Sequence, residues 1–150
     1  MTPVEITSFR GDYFFLSNFS PATFSVDGLA FPTTEHAYQA FKAATREGFE
    51  MIRNAPTARD AKHFGKDVQL RLGWEQMKET VMLLCLRAKF GIPELRAKLL
   101  ATGNAKLVEG NTWHDRYWGK CGCQQHKGAG YNRLGELLMQ VRAELRAETR

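Results

Sequence analysis

The 150-residue sequence lacks a long apolar run, because the longest, residues 81–86, falls far below the roughly 20 residues that cross a bilayer. The amino terminus also lacks the basic start and apolar stretch of a secretion signal. The chain has only 3 cysteines, an odd number that argues against a disulfide framework and fits a reducing compartment. We therefore expect a cytoplasmic protein with no membrane partner.

Internal repeats, low-complexity tracts and linkers are absent as well, so residues 1–150 are predicted to form a single domain. No Walker sequence and no dinucleotide fingerprint follows a predicted strand, which disfavours nucleoside triphosphate hydrolysis and hydride transfer. Subtracting 16 acidic from 21 basic residues leaves a net charge of +5. This charge favours anionic partners such as nucleotides, phosphorylated metabolites or nucleic acid, although no basic cluster typical of a nucleic-acid-binding module occurs.

The hydrophobic pattern predicts helices alternating with a few short strands. Asp27-Gly28 is a hairpin turn signal between strands 23–26 and 29–31. Helical spacing and capping residues predict helices at 34–45, 57–65, 74–90, 93–100 and 134–145, with a brief strand at 106–109. Residues 110–132 combine glycines with large aromatic rings, a composition typical of a functional loop.

The first candidate site is one face of the first predicted helix. Glu35, Tyr38, Gln39 and Lys42 recur at helical spacing and point the same way. The aromatic segment before this helix makes a pocket wall plausible for that face. The alternative is a solvated face on which the negative charge of Glu35 only interacts with the positive end of the helix dipole.

The second candidate is the segment 113–119, in which Asp115 lies among three large rings, those of Trp113, Tyr117 and Trp118. Rings stack on bases and sugars, a carboxylate stabilises positive charge, and glycines such as Gly119 let the backbone approach a phosphate. In the alternative, the tryptophans cover the core and Asp115 accepts hydrogen bonds from backbone amides of its own loop.

Cys121, Cys123 and His126, with His114 as a further candidate, suggest a metal site. Their spacing matches no established zinc pattern, so the sequence alone predicts no metal and no cofactor. Cys85 lies on the apolar stripe of its helix and is predicted to belong to the core. The histidines at positions 36 and 63 are predicted to be packed or surface side chains.

Six blocks together resemble the NADAR family of YbiA-like N-glycosidases. They are 15–19 (FLSNF), 32–42 (PTTEHAYQAFK), 70–74 (LRLGW), 87–90 (RAKF), 115–119 (DRYWG) and 130–139 (GYNRLGELLM). The resemblance extends from about Phe9 to Arg142. It implies an α+β fold, a helix-rich single domain with a short N-terminal β-hairpin or small sheet.

The resemblance also implies hydrolysis of a ribosyl N-glycosidic bond without a cofactor. Family members are associated with removing ADP-ribose from guanine in nucleic acid and with cleaving phosphoribosylamino-pyrimidine intermediates of riboflavin biosynthesis. Partners would therefore be an ADP-ribose-type nucleotide, a phosphoribosyl compound or ADP-ribosylated nucleic acid. The insert 120–127 departs from the family pattern and leaves the shape of the substrate loop open.

By position, the resemblance assigns catalysis to Glu35 and Asp115, with Lys42 as an additional candidate. It assigns substrate binding to Asn18, Phe19, Trp74, Trp118 and Gly119. We expect the two acids to act on one sugar inside a ring-lined cleft. The competing class is a non-catalytic reader of ADP-ribose or NAD-like ligands that uses the same residues only for binding.

Overall fold

A computed structural model describes residues 2–148 as helices and short strands in two compact units. The middle unit comprises residues 18–89, and the terminal unit comprises residues 2–17 together with 90–148. Mixed helices and small sheets confirm the expected α+β class. The expectation of one domain stays a prediction. None of the helices in the described range is long and apolar enough to span a membrane.

The middle unit consists of a hairpin followed by four helices. Strands β2 (Phe24–Val26) and β3 (Leu29–Phe31) pair antiparallel, with Phe24 opposite Phe31. The helices are α1 (Thr34–Phe41), α2 (Arg46–Arg53), α3 (Ala58–Gly65) and α4 (Trp74–Lys89). Helix α1 packs against the other three. The rings of Phe31, Phe41 and Phe49 meet at centroid distances of 5.4–6.0 Å and form an aromatic core.

Three threonines set where the first three helices begin. The hydroxyl oxygens of Thr33, Thr45 and Thr57 each accept a hydrogen bond, 3.1 Å long, from the backbone amide three residues ahead. Each hydroxyl satisfies an amide that has no partner within its helix. The caps expected at Thr33 and Thr57 are confirmed.

The terminal unit joins the two ends of the chain. Strands β1 (Glu5–Ile6) and β4 (Lys106–Leu107) are parallel, as are β5 (Gly110–Asn111) and β6 (Lys120–Cys121). A 3₁₀ helix (Gly11–Leu16), α5 (Pro93–Ala101) and α6 (Arg133–Glu148) complete the unit. Its core includes Leu107, Leu138 and Val141, each at most 1% exposed.

Several predicted boundaries need correction. The first helix ends at Phe41 rather than Thr45, because the chain turns there and Thr45 caps a separate helix, α2, that the pattern did not predict. The strand expected over 106–109 covers only Lys106–Leu107, and the loop 110–132 contains β5 and β6. The aromatic segment before the hairpin includes a 3₁₀ helix, for which no element was predicted.

Candidate active site

Glu35 lies in the first turn of α1, positioned by the Thr33 cap, and is only 6% exposed. Its Oε1 accepts a hydrogen bond of 2.8 Å from Nε2 of Gln39, one turn later on the helix. Tyr38 and Gln39 are also 6% exposed. The alternative of a solvated face is therefore wrong for these three residues, and the helix instead presents a carboxylate removed from water.

Lys42 follows directly at the C-cap of α1 and is partly buried. Its Nζ donates to the carbonyl oxygen of Gly65 at 3.2 Å. Burial lowers the pKa of Lys42, while the negative charges of Glu35 and Glu75 act in the opposite direction. The helix thus combines a buried carboxylate with an amine that is easier to deprotonate than an ordinary lysine.

Trp74, the first residue of α4, packs its ring against that of Tyr38 at a centroid distance of 5.3 Å. Trp74 is 5% exposed, so little of its ring is open to a ligand in this conformation. Phe19, in contrast, is partly exposed, and its ring lies 5.9 Å from Nζ of Lys62. Both predicted substrate-binding rings of the middle unit are thus present, but Phe19 is more exposed than Trp74.

Three buried polar atoms of the middle unit have no hydrogen-bond partner within the described residues: Asn18 Oδ1, Thr34 Oγ1 and Gln39 Oε1. The Asn18 carbonyl accepts from the backbone amide of Glu35 at 3.0 Å, and its Nδ2 lies 3.6 Å from Sδ of Met82. An unpaired buried acceptor costs about 1–3 kcal/mol, so such atoms mark places where water or a ligand supplies the missing donor.

Lys89, at the end of α4, is a buried residue of the RAKF block (87–90) for which the sequence predicted no role. It is 0% exposed, and its Nζ donates to the hydroxyl oxygen of Ser20 at 3.0 Å. Burial lowers the pKa of Lys89 to about 7. The sequence offered one signal, the position of this lysine in a helix whose middle is apolar on most sides. The spacing of residues along that helix does not show that the lysine is completely buried.

Two side chains behave as predicted structural residues. Cys85 is fully buried, and burial, followed by the charge of Glu35, raises the pKa of its thiol to about 12. The thiolate is therefore scarce at neutral pH, which confirms its assignment to the core. His36 is 2% exposed, with ring nitrogens 2.7 Å from Thr33 Oγ1 and 3.0 Å from the Ala55 carbonyl oxygen.

In the terminal unit, Asp115 organises its own loop. Its Oδ1 accepts hydrogen bonds from the backbone amides of Tyr117, at 3.1 Å, and Trp118, at 2.9 Å. The Asn111 side chain binds the backbone of Asp115: its Nδ2 donates to the Asp115 carbonyl oxygen, and its Oδ1 accepts from the Asp115 amide. These contacts match the structural alternative for Asp115, yet the residue is partly exposed and both amides donate to the same oxygen, Oδ1.

Trp118 and Gly119 follow in the same loop. The partly exposed ring of Trp118 meets that of Tyr117 edge-on at 4.9 Å. Gly119 is buried, and a Cβ there would overlap the carbonyl and carboxylate oxygens of Glu109. Its lack of a side chain thus serves close packing.

The structure also brings together the four side chains whose spacing matches no established zinc pattern: His114, Cys121, Cys123 and His126. One potential ligand atom from each lies within 4.8 Å of all the others. Desolvation raises the pKa of the Cys123 thiol, but hydrogen bonds from the Cys121 side chain and nearby backbone amides outweigh it and bring the pKa to about 7.

A cavity of about 330 Å³ lies in the middle unit, lined by residues of β2, α1 and α4 and their neighbours. Its lining consists of Val26, Asp27, Phe41, Arg71, Gln76, Met77, Thr80, Val81 and Leu84. None of the predicted site residues lines this cavity, so it carries no part of the assignment.

The family model described as "NADAR domain" matches residues 8–146, and the chain belongs to this family. It is 45% identical to N-glycosidase YbiA of Escherichia coli (strain K12), over 98% of this chain and 91% of that protein. The solution NMR structure of E. coli YbiA superposes with a TM-score of 0.82 at 44% identity, covering 97% of this chain and 86% of that one.

More distant relatives carry a different name. A riboflavin biosynthesis protein of Vibrio vulnificus (strain YJ016) is 37% identical over 87% of this chain, which corresponds to 35% of that protein. The chloroplastic riboflavin biosynthesis protein PYRR of Zea mays is 35% identical over 86% of this chain and 23% of its own length. In both, the matching segment is a minor part of a longer protein.

Proposed function

We propose that this protein is an N-glycosidase that removes ADP-ribose from ADP-ribosylated guanine in nucleic acid. The general reaction, hydrolysis of an N-glycosyl bond, is supported by the near full-length similarity to N-glycosidase YbiA. Within the chain, the proposal is carried by Glu35, a carboxylate 6% exposed and held by Gln39 on the helix that ends at the half-desolvated Lys42.

The reaction needs two acid–base functions. As the bond between the anomeric carbon and the base nitrogen breaks, its electron pair leaves with the base and positive charge develops on the sugar. A proton delivered to the base eases its departure, while a carboxylate stabilises the cation or activates the water that adds to the anomeric carbon. We assign proton transfer, or the binding of ribose hydroxyls, to Glu35 and the second function to Asp115; exchanged roles are the alternative.

The contacts of Asp115 suit this assignment. Two backbone amides fix Oδ1, which sets the orientation of the carboxylate and leaves Oδ2 to face a ligand or water. Trp118 and Phe19 are partly exposed and are proposed to stack on the base or ribose. Trp74 is proposed as a further ring surface that has to become more exposed than 5% when substrate binds. Asn18 is proposed to orient the nucleotide through its buried amide, and Gly119 to keep the loop closely packed.

Lys42 has two proposed roles. A lowered pKa increases the fraction of neutral amine, which could attack an opened sugar aldehyde to form a Schiff base with loss of water. Otherwise, the ammonium binds substrate phosphate. Borohydride added during turnover reduces a Schiff base to a stable amine, and mass spectrometry would then locate the sugar at Lys42. An absence of any adduct would leave phosphate binding as the role.

The choice of substrate rests on charge. The excess of basic residues favours a polynucleotide, whose additional phosphates lie outside the reacting group. Relatives named as riboflavin biosynthesis proteins favour the second candidate, the phosphoribosylamino-pyrimidine intermediates. Offering purified protein both substrates side by side and measuring released base or sugar distinguishes them. Tight binding without release from either would instead support a non-catalytic reader.

Glu35→Gln tests the carboxylate, and Glu47→Gln is its matched control. Both glutamates occupy the second position after a threonine cap, but Glu47 is exposed. We expect the Glu35 variant to lose turnover by about 100-fold or more, as for other removed acid–base groups, and the control to retain it. Equal turnover in both variants would refute the role of Glu35.

Asp115 requires a second pair of variants because it also holds the loop. Asp115→Asn keeps an oxygen for the two amides, whereas Asp115→Ala removes it. A catalytic role predicts that both variants lose about 100-fold or more in rate while the asparagine variant stays within about 1 kcal/mol of wild-type stability. Activity retained in Asp115→Asn and lost in Asp115→Ala would assign Asp115 to loop structure alone.

A further inference from the structure

Two histidines and two cysteines of the terminal unit converge at one place in the loop 111–129. The Nδ1 atoms of His114 and His126 are 3.4 Å apart, and Sγ of Cys123 lies 3.5 Å from the first and 3.2 Å from the second. Cys121 contributes the fourth atom, with all four mutually within 4.8 Å. Each atom is a common ligand for a borderline-soft metal ion.

The separations among His114, Cys123 and His126 are close to those of a tetrahedral metal shell, and the 4.8 Å limit for the whole set requires the ligands to move about 1 Å closer when a metal binds. With Zn–S near 2.3 Å and Zn–N near 2.05 Å, tetrahedral angles place ligand atoms about 3.3–3.8 Å apart. The nitrogen–nitrogen separation of 3.4 Å and the sulfur–nitrogen separation of 3.5 Å match the values for their pairs, and the second sulfur–nitrogen separation, 3.2 Å, is about 0.4 Å shorter than the value of about 3.6 Å for that pair. Hydrogen bonds alone do not require two imidazoles to aim their Nδ1 atoms at each other and at the same sulfur.

The backbone holds this arrangement through contacts outside the four ligand atoms. Strand β6 pairs Cys121 with Asn111 of β5, which anchors the first sulfur. A tight turn brings His126 back, its amide donating to Sγ of Cys123 at 3.4 Å and the Lys127 amide donating to the Cys123 carbonyl at 2.8 Å. Amide-to-sulfur bonds of this kind support a thiolate ligand from its outer shell.

His114 reaches the cluster in an uncommon backbone conformation. Its φ is +71°, in the left-handed region that few residues other than glycine adopt, with asparagine, aspartate and histidine the most frequent of them. Such strain persists only where surrounding contacts hold it, and here the neighbouring Asp115 amide is bonded to Asn111. The strained residue directs its ring to the other three ligands.

We propose that His114, Cys121, Cys123 and His126 bind one zinc ion with four protein ligands. A closed two-histidine, two-cysteine shell has no position for a reacting water, so the ion is structural. Asp115, Trp118 and Gly119 lie between the first two ligands in sequence, so the zinc ties down the loop that carries them. The four ligands take no part in the proposed reaction, so zinc binding is tested separately from it.

The test uses the full chain, purified under reducing conditions, with zinc measured by elemental analysis and affinity measured by competition with a chromogenic chelator. His114→Asn is the main variant, because His114 is exposed and asparagine tolerates a left-handed φ. His63→Asn, an exposed histidine on α3, is the matched control. Cobalt substituted for zinc provides a spectroscopic readout of geometry.

We expect one zinc per wild-type and His63→Asn chain, with the visible bands of tetrahedral cobalt and a thiolate-to-cobalt charge-transfer band. Losing an outer-shell partner already costs 10–100-fold in affinity, so the His114 variant should lose more than about 100-fold. Cys123→Ser should also remove part of the charge-transfer band. Wild-type protein that binds no zinc, or His114→Asn that binds it as tightly as wild type, would overturn the proposal.

Discussion

Replacing Lys89 with methionine should change how the stability of the protein depends on pH. The lysine is 0% exposed, and burial lowers its pKa from 10.5 to about 7 in the folded state. Methionine has a similar length and no charge, so the variant removes the titrating group and keeps much of the packing volume. The hydrogen bond to Ser20 is lost in the variant at every pH.

The sign of the effect follows from proton counting. Between pH 7 and 10.5 the unfolded chain keeps the Lys89 proton that the folded chain has lost, so the unfolded state binds more protons. Wild-type stability therefore gains up to about 1.4 kcal/mol per pH unit from this group as pH rises through that window. From pH 7.5 to 9.5 the gain is about 2–3 kcal/mol. Below pH 7 Lys89 is protonated in both the folded and the unfolded state, so the free energy of unfolding is lowered by the full cost of burying its charge and no longer changes with pH through this group.

Urea denaturation at pH 7.5, 8.5 and 9.5 measures the free energy of unfolding of wild type and Lys89→Met. Other titrating groups are common to both proteins and cancel in the difference. We expect the variant's stability relative to wild type to decrease by about 2–3 kcal/mol across this range. Lys66→Met, which replaces an exposed lysine of the same unit, should show no such trend. A difference that is constant with pH in Lys89→Met would refute the desolvation argument.

Two further predictions concern local packing and capping. Gly65→Ala should displace Gln39, because an added Cβ would overlap the Gln39 side-chain carbonyl, and it should thereby weaken the bond that holds Glu35. We expect a turnover loss larger than that of Gly48→Ala, whose Cβ meets only looser contacts, and equal losses would contradict the positioning role of Gln39. Thr57→Ala should cost about 1 kcal/mol of unfolding free energy by removing the cap of α3, while Thr57→Ser should cost less; thermal denaturation compares the two, and identical melting temperatures would argue against the cap.

Turns and helix starts could be predicted from the sequence because residues adjacent in the chain form them. Asp27-Gly28 predicts the β2–β3 hairpin, and Thr33 and Thr57 predict the starts of α1 and α3. Helix α2 was missed because Phe49 and Ile52 provide few apolar positions and Gly48 lies in its first turn. The cap at Thr45 was the available signal.

The candidate site could likewise be predicted only in part. Spacing alone places Glu35, Gln39 and Lys42 on one helical face, since they share a helix. Whether that face is solvated depends on what packs against it, and only the contacts of α1 with neighbouring helices decide that Glu35 is buried. The complete desolvation of Lys89 has the same origin.

The sequence by itself determined the family, the β2–β3 hairpin and the capped helix that carries Glu35, because motifs, turn residues and caps are read along the chain. Tertiary structure alone decided the pairing of β5 with β6, the turn at Cys123 and the convergence of two histidines with two cysteines. Burial depends on residues far apart in sequence, and the distances among these four side chains depend on how the backbone of residues 114–126 turns, so no local pattern encodes either.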